Sequence, residues 1–120
     1  RLAVELADLD RLEQFRIETL EYVGGVTVVQ YRDRVMPISF LASPAAEERV
    51  HALVFERHGS LVALGVDQVV DVADVVLDPS TATGTVVAHG LVTRVLDVDQ
   101  ALAPALDWVS RNGAGMEVYA

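Results

Sequence analysis

The sequence predicts a mainly β domain ending in one short helix, and three observations carry that expectation. Valine is the leading apolar residue, at 22 of 120 positions, and its branched, χ1-stiff side chain suits a pleated, half-buried surface. Short apolar runs recur along the chain, separated by turn signals at regular spacing, as in small β-barrels or a sandwich. Helical periodicity is convincing only near the end, where Ala101, Leu102, Ala105, Leu106 and Val109 share one face.

In chain order, Leu2, Val4 and Leu6 alternate with Ala3, Glu5 and Ala7, the period-2 pattern of a strand. The charged, irregular stretch from Asp8 to Leu20 predicts a helical turn running into a loop. Gly24-Gly25 is a turn, and Val26–Tyr31 (VTVVQY) is a strong strand. Arg32-Asp33-Arg34 is a tight polar connection to a second strand, Val35–Leu41, in which Pro37 lacks an N–H and so demands an edge or a bulge. Ser43–Arg49 (SPAAEER) is the most plausible internal boundary. His51–Glu56 and Leu61–Val72 flank the hairpin turn Arg57-His58-Gly59-Ser60. Asp78–Thr85 is a loop, and Val86–Ala88 with Leu91–Val98 make a last hairpin turning at His89-Gly90. Asp99 stands as N-cap and Gly113 as C-cap glycine of the final helix, 99–112. Pro104 lies past the first turn, so the helix is kinked there or starts late.

Composition narrows the function. At 120 residues the chain is one compact unit, or two very small ones sharing a core. A net charge of −9 repels phosphate backbones and anionic lipid, so nucleic acid and membrane surface are poor partners. No apolar run approaches the about 18 residues of a membrane span. Without cysteine there is no disulfide and no zinc–thiolate site. No signal peptide is visible, and the chain reads as a piece of a longer cytoplasmic protein.

The search for chemistry comes back empty. Asp67, Asp71, Asp74 and Asp78 would make an acidic stripe on a helix, the basis of a metal-dependent hydrolase reading. The β-branched residues between them argue for strand, which splits the set across two faces. His58 and His89 precede glycines in turns and His51 opens a strand at an exposed position, ordinary places for polar residues. There is no G-x-S-x-G elbow and no glycine-rich phosphate loop, so neither a catalytic residue nor a cofactor is expected. A small-molecule-binding barrel would need a roomy apolar cavity, and seven aromatics are few for one.

Four segments, in order, Arg1–Phe15, Val28–Leu41 (VVQYRDRVMPISFL), Val54–Val72 (VFERHGSLVALGVDQVVDV) and Leu91–Leu102, resemble the CheW-like family shared by the chemotaxis adaptor CheW and the C-terminal regulatory part of the kinase CheA. Arg1–Phe15 (RLAVELADLDRLEQF) is similar to its opening strand and turn, and Val28–Leu41 (VVQYRDRVMPISFL) to its hairpin "YRG-x-x-L-P-L-x-x-L". Val54–Val72 resembles its "V-V-x-x-x-G-x-x-x-A-L-x-V-D-x-V" strand pair, and Leu91–Leu102 (LVTRVLDVDQAL) its closing segment. Asp33 stands where the family has glycine, and the family's first strand would precede Arg1. The hairpin is closer to the CheA version than to the CheW one. The resemblance implies two small five-stranded β-barrels sharing a core, sub-barrels roughly 1–45 and 50–98, with the C-terminal helix. It implies a non-catalytic cytoplasmic adaptor whose partners are the chemoreceptor cytoplasmic tip and a CheA or CheW partner domain.

The hairpin Val26–Leu41 is apolar on both faces, more than one core face can use, and carries Arg32 and Arg34 at its tip. An apolar patch beside a basic rim is a common interface plan. Val29, Tyr31, Arg32 and Val35 are therefore the expected partner-binding residues, the competing reading being that Val29 and Val35 are core.

Overall fold

The computed structural model describes residues 2–5, 9–41, 48–67, 69, 85–88 and 91–112. Along them run β1 (Leu2–Ala3), β2 (Leu9–Arg16), a 3-10 turn (Ile17–Thr19), β3 (Glu21–Val23), β4 (Val26–Tyr31), β5 (Arg34–Phe40), β6 (Arg49–Arg57), β7 (Ser60–Val66), β8 (Thr85–Ala88), β9 (Leu91–Val95), α1 (Val98–Ala101) and α2 (Ala103–Asn112). The mainly β character and the short C-terminal helical segment match the expectation. The turn at His89-Gly90, the boundary at Ser43–Arg49 up to position 47, the loop from Asp78 to position 84 and the cap at Gly113 lie outside the described residues.

Among the described residues, three hairpins turn in two residues, and these three are left-handed at both central positions. These are Gly24 and Gly25 (φ 60° and 85°), Arg32 and Asp33 (50° and 61°), and His58 and Gly59 (54° and 79°). That is the type I′ geometry, whose twist matches the right-handed twist of the flanking strands. The glycines adopt it freely, whereas Arg32, Asp33 and His58 adopt it against the clash of Cβ with the backbone.

Six strands form one sheet in the order β2-β6-β7-β5-β4-β3, antiparallel throughout except for the parallel pair β5–β7. A second sheet orders β1-β9-β8, with β1 parallel to β9. Strands on both sides of the 45–50 interval thus hydrogen-bond into a single sheet. Among the described residues the large sheet ends at β2 and β3 without a ladder between them, so it is not a closed barrel.

It is nevertheless strongly curled. Four inter-strand steps separate β2 from β4, about 19 Å in a flat sheet at ~4.8 Å each. Yet the Phe15 and Tyr31 rings meet edge to face, centroids 5.7 Å apart at 90°, and Arg32 Nη2 lies 3.1 Å from Asp10 Oδ2. The concave face so produced holds one core: Val29, Met36, Ile38, Ala52, Val54 and Ala63, flanked by Phe15, Leu20, Tyr31, Phe40 and Leu61. The opposite face holds the other: Leu53, Phe55, Val62 and Leu64 under Leu102 and Ala105 of the helical segment.

The stretch 9–16 corrects the expected helical turn and loop. It is an edge strand paired with β6, with a register shift between Leu9 and Arg11. The extra residue reverses the facing of the rest of the strand, so Leu9 joins the helix-side core while Phe15 joins the concave one. Alternation is broken at that point, and an edge strand tolerates the charges beyond it.

Pro37 sits in an internal strand, not an edge. In the β4–β5 hairpin the closing pair Tyr31↔Arg34 sets the even residues of β5 to bond β4, so the odd ones face β7. Leu41 N–H donating to Gly65 O at 3.0 Å fits that parity. The missing proline donor therefore falls on the β7 side, where the register begins only at Ile38↔Ala63. At Pro37 the internal strand is locally an edge.

Asp97, not Asp99, caps the helical segment, its Oδ1 accepting from Gln100 N–H at 3.2 Å. Asp99 in the first turn pairs instead with Arg57 at 2.8 Å. The segment breaks at Leu102 and resumes at Ala103, the late start that Pro104 requires.

Candidate functional site

The β4–β5 hairpin lies between β3 and β7, its concave side on the first core and its other side under α2. Pro37 and Ser39 on that second face are buried, and Val28, which pairs with Pro37, is 3% exposed. The surplus apolar face is thus covered within the chain by its own C-terminal helix.

This decides the expected contact residues one by one. Val29 is 3% exposed and belongs to the concave core, so it is not available to a partner, and the core reading holds for it. Tyr31 is half-buried, with its ring against Phe15 and its hydroxyl enclosed and unbonded to protein. Arg32 is exposed but engaged: its guanidinium stacks 5.0 Å from the Tyr31 ring centroid and pairs with Asp10. Val35 is half-buried and Arg34 exposed. The cationic tip is therefore weaker than Arg32 and Arg34 together suggested, since Asp10 offsets Arg32.

A depression of about 20 Å³ opens between the hairpin and α2, lined by Tyr31, Arg34, Val35, Met36, Ser60, Leu61, Trp108 and Val109. That is room for about one water molecule, against the ~300–1,000 Å³ of a site for a small organic ligand.

The candidate chemical groups do not converge. His51 is half-buried in β6 opposite Gln14 and Val66, and His58 is exposed in its turn. Asp67 is exposed, while Asp71, Asp74, Asp78 and His89 lie outside the described residues. Among the described residues no three His, Cys, Asp or Glu side chains gather as metal ligands, and no helix is long and apolar enough to cross a membrane.

Sequence patterning gave no signal for one exposed aromatic. Tyr22, on the edge strand β3, is 75% exposed. Its strand is three residues long and ends at Gly24-Gly25, so the turn was legible while the strand was not. No protein-family model matches the chain, and no curated protein matches its sequence.

Proposed function

We propose that this chain is a CheW-like regulatory and coupling domain, a non-catalytic cytoplasmic adaptor linking a chemoreceptor tip to a CheA or CheW partner domain. The observation that carries the reading is the curl of the large sheet, with Phe15 meeting Tyr31 across four strand steps. It brings the edge strand β2 against β4, the neighbour of the opposite edge, as curling toward a small barrel would, and the hairpin resembling the family's "YRG" segment forms part of its wall. Three of the resembling segments also fall on structural units: Val28–Leu41 on β4–β5, Val54–Val72 on β6–β7 through Val66, and Leu91–Leu102 on β9 and α1.

In this reading the six-stranded sheet is the first barrel, incompletely closed, and the β1-β9-β8 sheet belongs to the second. Contact to a partner runs over Arg32, Arg34 and Val35 at the hairpin tip, with Tyr31 supporting Arg32 from beneath.

The test is co-sedimentation of the chain with a receptor cytoplasmic tip and a CheA or CheW partner domain, with and without Arg34→Glu and Val35→Glu. Capture of the wild-type chain and loss of capture by the folded variants is the expected result. Labelled ATP with a competent CheA catalytic domain should leave the chain unmodified. Stoichiometric phosphorylation of His51, His58 or His89 would sink the adaptor reading.

A further inference from the structure

The side-chain atoms Ser60 Oγ and Tyr31 Oη are enclosed with no protein hydrogen-bond partner. Both residues line the depression beneath α2, and Ser60 as a whole is 5% exposed. A buried hydroxyl left unbonded is costly, so such groups in folded proteins almost always have a partner, protein or water.

The backbone supplies a third polar group at the same place. Ser60 closes the β6–β7 hairpin opposite Arg57, which sets the even residues of β7 toward β6 and the odd ones toward β5. Leu61, a lining residue, thus presents its carbonyl to β5 at Pro37, where the ladder would need a donor and proline has none. The pairing of β5 with β7 begins one step later, at Ile38↔Ala63, and the depression lies before that start, lined by Val35 and Met36 on β5 and by Ser60 and Leu61 on β7.

We propose that this gap is a hydration site: one ordered water takes the hydrogen bond of the Ser60 hydroxyl and donates to the Leu61 carbonyl. It occupies the gap ahead of the point where the β5–β7 ladder begins. A volume of about 20 Å³ accommodates a single water, and two or more polar partners are what such a water requires.

The sign of one substitution separates this from a merely unsatisfied hydroxyl. If Ser60 is unbonded, Ser60→Ala removes a buried polar group and leaves the chain as stable or more so. If it holds the water, the same change strips that water of a partner and destabilises the fold. The experiment is a crystal structure of the whole chain together with thermal unfolding of Ser60→Ala. The expected result is a density peak about 2.6–3.2 Å from both Ser60 Oγ and the Leu61 carbonyl, with a melting temperature lowered by roughly 3–6 °C. A gap without density, a peak that misses either group, or a variant melting at the same or a higher temperature overturns the proposal.

Discussion

Ala105 N–H donates to the Ser39 hydroxyl at 3.0 Å across 66 residues, and both residues are buried. Early in α2, the Ala105 amide is one of the donors that a helix leaves without an intrahelical partner. Leu102, preceding α2, has no side chain that could accept it, so a serine near the end of β5 caps the helix instead. Replacing Ser39 with alanine should destabilise the chain by about 1–3 kcal/mol, the cost of an orphaned buried amide. Urea unfolding should show a lower midpoint with an unchanged slope, because the cap is lost and the fold is not.

Val29 and Val35 should separate under the same substitution. Val29→Glu puts a carboxylate in the concave core without a partner, at a cost of several kcal/mol, and should unfold the chain. Val35→Glu, half-buried beside an open depression, should fold with a reduced melting temperature. Circular dichroism melts of the two distinguish them directly. A Val29→Glu chain as stable as the wild type would contradict the core placement.

Gly65 faces Phe40 across the parallel ladder, and a Cβ there would lie 2.4 Å from Phe40 Cδ1. Gly65→Ala should therefore cost about 1–3 kcal/mol by overpacking. Pairing it with Phe40→Leu should recover part of that loss, a coupling that a double-mutant cycle measures.

The tip of the β4–β5 hairpin carries two non-glycine residues at positive φ. Asp33→Gly removes one of these strains, and it should raise stability by about 0.5–1 kcal/mol as seen in a higher melting temperature. The gain is reduced by the greater freedom glycine brings to the unfolded chain. A fall in melting temperature would mean that the Asp33 side chain contributes more than its backbone costs.

Trp108, 2% exposed, donates its indole N–H to the Val23 carbonyl at 3.0 Å, and its ring edge lies close to where a Cβ on Gly24 would stand. Trp108→Phe should lose about 1 kcal/mol through the hydrogen bond, and Trp108→Ala about 3–5 kcal/mol through the cavity. Chemical denaturation of the pair tests whether α2 anchors the β3–β4 turn.

Local chemistry determined by itself the features that lie within a few residues of one another. Gly24-Gly25 and His58-Gly59 announce their turns because few residues other than glycine accept positive φ cheaply. Val26–Tyr31 announces its strand because alternation and β-branching agree, and Pro104 announces the late start of α2 because proline cannot continue a helix already begun. The tertiary structure decided which of two apolar faces is covered by what. Val29 and Val35 look equally apolar along the chain, but Val29 lies in the concave core while Val35 faces the α2 side, half-open beside Trp108 and Val109. The bulge after Leu9 hid β2 by reversing its alternation, a change visible only against its partner β6. Likewise Pro37 is plainly a residue without a donor, but which neighbour lacks it depends on hairpin register. Facing is set by pairing between distant strands, which local propensity does not encode.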